Sequence, residues 1–166
     1  MPRIFSRRPS LALAGILIAI GGCAESPSSP AAREFVQRTT AVRYDVSGRP
    51  GSSAVIDPAG GTLQTASGDR IVFPAGAVAQ PTTVSITSDP RYAGVELEPH
   101  GLQFPAGHEP VLQINMQGTN AGNFGSIDVV YVDESGSVAE TLPTSTANGR
   151  ATTALHHFSR YLTSGS

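Results

Sequence analysis

The sequence predicts an all-β protein, in which a single antiparallel β-sandwich domain follows an N-terminal export signal and a flexible linker. Three observations support this fold class. Glycine occupies 18 positions and proline 13, and both residues favour turns. Only 14% of the residues are charged. Beyond residue 53, strand-like segments alternate with turn signals, and no apolar stripe of helical period exceeds two turns. A helical bundle or a coiled coil is therefore excluded.

The first 22 residues form a predicted export signal. Arg3, Arg7 and Arg8 precede an uninterrupted run of small and apolar residues at positions 11–20. A charged region followed by a short apolar region is typical of a secretory signal peptide. As a helix, this run would rise only about 15 Å, which is less than the hydrocarbon core of a bilayer requires. We therefore do not expect it to be a permanent transmembrane helix.

The apolar run ends in Ile20-Gly21-Gly22-Cys23, which resembles the lipobox of bacterial lipoproteins. The resemblance implies that the Cys23 thiol takes a diacylglyceryl group, that the chain is cut before Cys23, and that this residue becomes a lipidated, palmitate-bearing N-terminus. The lipid bilayer is then the partner of Cys23, and the cell envelope is the location. Ala24 favours the outer membrane, by analogy with the enterobacterial sorting rule. The alternative is an ordinary secretory signal with a chance cysteine.

Residues 23–53 are predicted to be the lipidated N-terminus and a flexible linker. Segment 26–32 is rich in serine and proline and has no apolar period. Segment 34–46 holds scattered apolar positions that could add an edge strand, and the glycine-containing segment 48–53 breaks the pattern again. We therefore place the β-sandwich domain at residues 54–163.

Charge and cysteine content exclude several classes of function. All eleven basic residues are arginine, and the net charge of the chain is -2. Removal of residues 1–22 leaves eight arginines against 13 acidic residues, a net charge of -5. Such a domain does not attract a phosphate backbone, so we expect no nucleic-acid partner. The single cysteine excludes an internal disulfide and a multi-cysteine metal site. We expect no cofactor.

Two segments of the domain alternate apolar with polar residues. In residues 112–117, leucine, isoleucine and methionine alternate with glutamine and asparagine, and residues 127–131 hold a second such run. Period two places the apolar side chains on one face of a strand. Segment 118–125, between them, contains three glycines and two asparagines and is predicted to be a loop.

Turns and one long strand are predicted in the last third of the chain. Residues 133–136, Asp-Glu-Ser-Gly, form a turn, and Asn148-Gly149 is typical of a type I′ hairpin because both residues tolerate the left-handed conformation. The run 150–163 is the longest strand candidate of the domain.

Four clusters in order carry a resemblance to a known family. They are Gly60-Gly61-Thr62-Leu63, Val72-Phe73-Pro74-Ala75-Gly76-Ala77-Val78, Thr83-Val84-Ser85-Ile86, and Pro99-His100-Gly101-Leu102-Gln103-Phe104 followed by Pro110-Val111-Leu112. This pattern is similar to the ZU-five domain, the β-sandwich of zonula-occludens proteins, uncoordinated-five netrin receptors and ankyrins. The resemblance spans about residues 55–162. Pro74 cannot donate to a strand ladder, and Gly76 and Gly101 can adopt positive φ, so turns are predicted there.

The run 150–163 contains the one motif for which chemistry is predicted. His157-Phe158-Ser159 resembles the site at which the ZU-five domains of the death-domain protein family, and the autoproteolytic nucleoporin, cut their own chains. The resemblance implies that Ser159 is the nucleophile, that the Phe158 carbonyl is attacked, and that His157 is the base.

The reaction implied is an N-to-O acyl shift, in which a serine hydroxyl activated by a base attacks the preceding carbonyl. His157 and Ser159 share one face of an ideal strand, yet their Cα atoms would be about 6.6 Å apart. A distortion of the chain at Phe158 and Ser159 is therefore a requirement. The alternative interpretation is a closing strand in which Phe158 serves only packing.

Two functions are expected from these features. The leading hypothesis is a membrane-anchored lipoprotein whose sandwich is a structural or protein-interaction module, with an envelope protein of unknown identity as its partner. The alternative is self-processing at Phe158-Ser159. A carbohydrate-binding sandwich is disfavoured because few aromatic residues are present to stack on sugars. No metal site is expected, since Glu98, His100 and His108 do not form a recognised ligand spacing. Glu96 and Glu98 share a face two residues apart, as in a solvated acidic edge.

Overall fold

A computed structural model describes residues 33–166, which form two antiparallel β-sheets. The signal peptide, Cys23 and the serine- and proline-rich segment lie outside the described residues. The first six strands are β1 (Glu34–Phe35), β2 (Gly51–Ile56), β3 (Gly61–Gln64), β4 (Arg70–Phe73), β5 (Thr82–Ser88) and β6 (Gly94–Glu98). The next six are β7 (Val111–Asn115), β8 (Ile127–Val132), β9 (Val138–Leu142), β10 (Ser145–Ala147), β11 (Arg150–Ala154) and β12 (Arg160–Gly165). Within the described residues, the helical content is one 3-10 turn, Ala121–Asn123.

The two sheets form a β-sandwich, as the sequence predicts. The larger sheet has the strand order β2-β5-β6-β12-β8-β9, and β1 also pairs with β12. The smaller sheet has the order β10-β11-β7-β4-β3. Apolar residues of period two face inward from both sheets; in β7, Leu112 and Ile114 are fully buried, as in the predicted strand 112–117.

Local turn chemistry follows the sequence closely. Asn148 and Gly149 join β10 to β11 with φ values of 52° and 70°, which confirms the predicted type I′ hairpin. Gly76 follows β4 with a φ of 82°, and Gly101 follows β6 with a φ of 75°. The predicted loop 118–125 also contains the single 3-10 turn.

The prediction of one long strand over residues 150–163 is wrong. The chain runs through β11 in the smaller sheet and β12 in the larger sheet, and residues 155–159 connect them. We call residues 155–159 the crossover segment. Leu155 and Phe158 are 0% and 1% exposed, because both side chains enter the core between the sheets. Crossing from one sheet to the other therefore interrupts the strand and buries Leu155 and Phe158, whereas His156 between them stays exposed.

The folded domain starts earlier than the predicted boundary at residue 54. Val36 is fully buried, and β1 pairs with the end of β12. The Arg38 guanidinium lies 3.0 Å from the carboxylate of Asp69, which is also fully buried. Strand pairing, the buried side chains of Val36 and Val42 and the ion pair of Arg38 thus attach the N-terminal segment to the sandwich. The strand expected from the scattered apolar positions of residues 34–46 is present as β1, although no regular period marks the segment.

Candidate functional site

The crossover segment is held against the turn that follows β6. Phe158 N–H donates to the carbonyl of Leu102 at 2.9 Å, and Phe104 N–H donates to the carbonyl of His156 at 3.0 Å. Leu97 N–H donates to the carbonyl of Ser159 at 3.1 Å. The chain bends at His156 and again at Ser159. The segment between β11 and β12 is therefore irregular but firmly hydrogen-bonded, and the predicted reacting residues lie in it.

The Phe158 ring closes the core, as the packing interpretation expects. Its centroid lies 5.9 Å from that of Phe73 and 5.1 Å from that of Phe104, and both pairs are edge-to-face. Aromatic pairs in this arrangement add stability beyond the area they bury. The side chain fixes the position of residue 158, so the main-chain carbonyl of the same residue has little freedom to move.

Two groups point at the Phe158 carbonyl oxygen, the oxygen that would become negative during attack by Ser159. Gly101 N–H donates to it at 2.9 Å, and His157 Nδ1 lies 3.3 Å from it. Gly101 adopts its φ of 75° at this point, a conformation that glycine enters without strain. Hydrogen-bond donors aimed at a developing oxyanion lower the barrier to acyl transfer. The sequence showed Gly101 as a turn residue, but not its contact with Phe158.

His157 faces groups other than Ser159. Its Nδ1 lies near the Phe158 carbonyl oxygen and 3.4 Å from the Tyr161 hydroxyl, and its ring meets that of Tyr131 at a centroid distance of 5.1 Å. Ser159 is 9% exposed. The chain bends at Ser159, between the predicted reacting residues and β12. The hydrogen bond that would let His157 activate Ser159 is not formed among the described residues.

Tyr161, the second residue of β12, anchors His157. Its hydroxyl donates to the His157 carbonyl oxygen at 2.7 Å. Burial of the phenol, followed by the electrostatic influence of Glu140 and Tyr131, raises the pKa of Tyr161 far above its ordinary value. The hydroxyl therefore stays protonated and remains a donor throughout the physiological pH range.

A cavity of about 410 Å³ adjoins the crossover segment. Its lining includes Glu96, His100, Glu134, His157 and Ser159. A cavity of this size holds several water molecules. Water required to hydrolyse an ester at Ser159 would thus have a route to it.

Glu96, Glu98 and His100 lie together at the rim of that cavity, which their sequence spacing did not indicate. One ligand-type atom from each falls within 4.8 Å of the others. His100 Nε2 pairs closely with Glu96, and Arg160 Nε lies 4.0 Å from the same carboxylate. Glu96 therefore already has the His100 ring as a hydrogen-bond partner and the Arg160 guanidinium as a neighbouring cation, and we assign no metal to the cluster.

Aromatic side chains that could stack on a sugar are scarce on the surface of residues 33–166. Tyr44, 61% exposed, is the one strongly exposed aromatic ring there. Tyr92 packs edge-to-face on Phe35 at 5.4 Å, and Phe124 packs against the core.

The predicted lipidation site, Cys23, lies outside the described residues. Within residues 33–166, no helix has the length and apolar character that crossing a membrane requires. A scan against models of known protein families and a search of curated protein sequences find no match to this chain. Membership of the ZU-five family therefore remains a prediction from the residues.

Proposed function

We propose that this protein is a lipid-anchored cell-envelope protein whose ZU-five-like β-sandwich is a structural or protein-interaction module. The observation that carries the proposal is Cys23 at the end of a lipobox-like motif, a short distance before the packed domain at Arg33. The two-sheet architecture and the turns at Gly76 and Gly101 support the ZU-five resemblance. The envelope partner would be bound by loops or by a sheet face.

The lipid, and not the charge of the protein, would hold it at the membrane. A net charge of -5 after removal of the signal repels an anionic lipid surface. Two or more acyl chains anchor a protein stably, whereas one holds it only marginally. About ten residues separate Cys23 from Arg33, so the sandwich would stay within about 35 Å of the bilayer surface.

The lipid anchor is tested by the variant Cys23→Ser, with Ser28→Ala in the spacer as the control. Bacteria expressing each chain would be labelled with palmitate and then fractionated. The native chain and Ser28→Ala should carry the label and sediment with the membranes, whereas Cys23→Ser should lose both properties. Labelling or membrane association that persists in Cys23→Ser would refute the anchor.

Self-processing at Phe158-Ser159 is the second candidate function. The contacts of Gly101 N–H and His157 Nδ1 with the Phe158 carbonyl oxygen favour it. Ser159 Oγ would attack the Phe158 carbonyl carbon while its proton is taken up, and the C–N bond would break as the Ser159 nitrogen accepts a proton. Water would then hydrolyse the ester, leaving a carboxylate on Phe158 and the free hydroxyl of Ser159. His157 would have to turn from the carbonyl toward Ser159 to act as the base.

Cleavage would leave the two pieces associated. The fragment that begins at Ser159 contains β12, which pairs with β8 over six residues, from Arg160 to Gly165. On its other side, β12 pairs with β6 and β1. A central strand with neighbours on both sides stays in the sheet after its chain is cut, because its hydrogen bonds and buried side chains are unchanged. The cut would therefore be visible only after denaturation.

Denaturing mass spectrometry of the purified chain, incubated at neutral pH, tests this reaction. The native protein and the control Ser145→Ala, at an exposed position of β10, should yield a fragment that begins at Ser159. Ser159→Ala should stay intact, and His157→Gln should slow the reaction. A native chain that keeps its full mass after prolonged incubation would eliminate self-processing and leave the module proposal untouched.

A further inference from the structure

Charged residues are divided unequally between the two sheets. The strands of the smaller sheet carry two arginines, Arg70 and Arg150, and no acidic residue. The strands of the larger sheet carry one arginine, Arg160, and five acids. These acids are Glu34, Glu96, Glu98, Asp128 and Glu140. A domain with more acids than arginines therefore has one sheet whose strands carry only positive charge.

A groove of about 470 Å³ lies at one end of the smaller sheet. The end of β3, the end of β7 and the start of β11 meet there with the N-terminal segment, because β3, β4, β7 and β11 pair in antiparallel register. The side chains that define its chemistry are those of Arg38, Arg43, Gln64, Asn115, Gln117 and Arg150. No acidic residue is among those that line it within residues 33–166.

One of the three arginines is already neutralised. Arg38 Nη2 lies 3.0 Å from Asp69, Arg38 Nε donates to the Asp89 carbonyl oxygen at 2.9 Å, and the side chain is 5% exposed. Arg38 therefore belongs to the structure beneath the groove. The uncompensated positive charge must come from the other two arginines.

Arg43, in the N-terminal segment, and Arg150, at the start of β11, supply that charge. Arg150 Nη1 donates to the Gly68 carbonyl oxygen at 2.7 Å, which orients the guanidinium and leaves four of its five N–H groups for other acceptors. Arg43 is exposed, and its main-chain N–H donates to Ser67 Oγ at 2.9 Å, which holds this residue at the groove. Neither guanidinium pairs with a carboxylate within the described residues.

We propose that this groove binds a carboxylate or phosphate group of a small ligand through Arg43 and Arg150. A guanidinium presents paired N–H donors that match the oxygens of either anion, and charge-assisted hydrogen bonds of this kind are strong. Gln64 and Gln117 add carboxamide donors at the rim. The volume of the groove is within the range of small-molecule sites, so an anionic sugar or a phosphorylated metabolite fits its size.

The test titrates the full-length chain in detergent at low ionic strength with inorganic phosphate, with galacturonate and with galactose, and measures heat and amide chemical shifts. At least one of the two anions should bind, with shifts centred on residues 64–68 and 115–118, and galactose should not bind. Phosphate alone or galacturonate alone would identify which of the two anions the groove prefers. The absence of binding by both anions at tens of millimolar would overturn the proposal.

Charge-matched variants decide whether the anion binds in this groove. Arg43→Gln and Arg150→Gln should each weaken anion binding about tenfold or more, because each removes a charge-assisted contact. Arg91→Gln removes the same charge outside the groove and should leave the affinity unchanged. Arg43 is exposed, so its variant keeps the test informative if Arg150→Gln fails to fold. An unchanged affinity in Arg43→Gln, or an equal loss in Arg91→Gln, would refute the site.

Discussion

At the scale of single residues, hydrogen bonds of the Phe158 carbonyl and the Tyr161 hydroxyl hold the crossover segment in place. The carbonyl accepts from Gly101 N–H, and the hydroxyl holds the chain at His157. The sequence predicted the turn at Gly101, since a turn depends on neighbouring residues only. It could not predict that this N–H meets residue 158, because that contact depends on how two distant segments pack.

The pKa of Tyr161 makes stability depend on pH in the alkaline range. Folding raises this pKa above the ordinary value of 10.0, mainly by burial. Below that value the phenol is protonated in both states, and above it the unfolded chain loses the proton that the folded chain keeps. The free energy of unfolding should therefore be insensitive to Tyr161 up to about pH 10 and fall as the pH rises further.

Urea unfolding between pH 8 and 11 measures this effect. Tyr161→Phe should flatten the alkaline fall, although it also removes the hydrogen bond to His157 and lowers stability at every pH. Tyr44→Phe, at an exposed ring, should keep the native slope. The same alkaline slope in Tyr161→Phe and in the native chain would contradict the assigned cause.

At the scale of secondary-structure elements, the N-terminal segment is part of the domain. β1 shares one side of β12 with β6: β6 pairs with residues 160–162, and β1 pairs with residues 164–165. A two-residue strand has no period that a sequence pattern can detect. Residues 150–163 show a different limit of sequence patterns. The strand pattern there is continuous, yet the chain passes from the smaller sheet to the larger one within it.

A chain that begins at Ser53 should be severely destabilised. It lacks β1, the buried Val36 side chain, worth about 1.5 to 3 kcal/mol, and Arg38, whose loss leaves Asp69 buried without its cation at a cost of about 3 to 5 kcal/mol. These losses are comparable to the total stability of a typical domain, about 5 to 15 kcal/mol.

Circular dichroism and urea unfolding compare this chain with one that begins at Arg33. The longer chain should unfold cooperatively, and the shorter chain should be unfolded, aggregated or markedly less stable. Equal unfolding midpoints would mean that the N-terminal segment contributes nothing to the domain.

At the scale of the whole molecule, Asp69 connects parts of the chain that no local interaction would bring together. Its carboxylate accepts from Ser88 Oγ at the end of β5, from Asn115 N–H at the end of β7 and from Arg38. β5 belongs to the larger sheet and β7 to the smaller one. The fully buried carboxylate thus links both sheets and the N-terminal segment.

Replacement of Asp69 by alanine should lower the free energy of unfolding by about 3 to 5 kcal/mol, because the Arg38 cation and the donors of Ser88 and Asn115 lose their acceptor. Asp57→Ala is the control; Asp57 is exposed and accepts from Ala59 N–H at 2.8 Å, and its loss should cost about 1 kcal/mol or less. Chemical denaturation measures both values. Similar losses in the two variants would show that Asp69 does not connect the sheets energetically.

The sequence by itself determined the all-β class, strands such as β7, and the turns at Gly76, Gly101 and Asn148-Gly149, because period and backbone preference are properties of neighbouring residues. Only the tertiary structure decided that residues 155–159 cross between sheets, that Gly101 N–H meets the Phe158 carbonyl, and that Arg43 and Arg150 line one groove. The physical reason is that long-range contacts depend on the order and register of strands, and strand pattern alone leaves many such arrangements open.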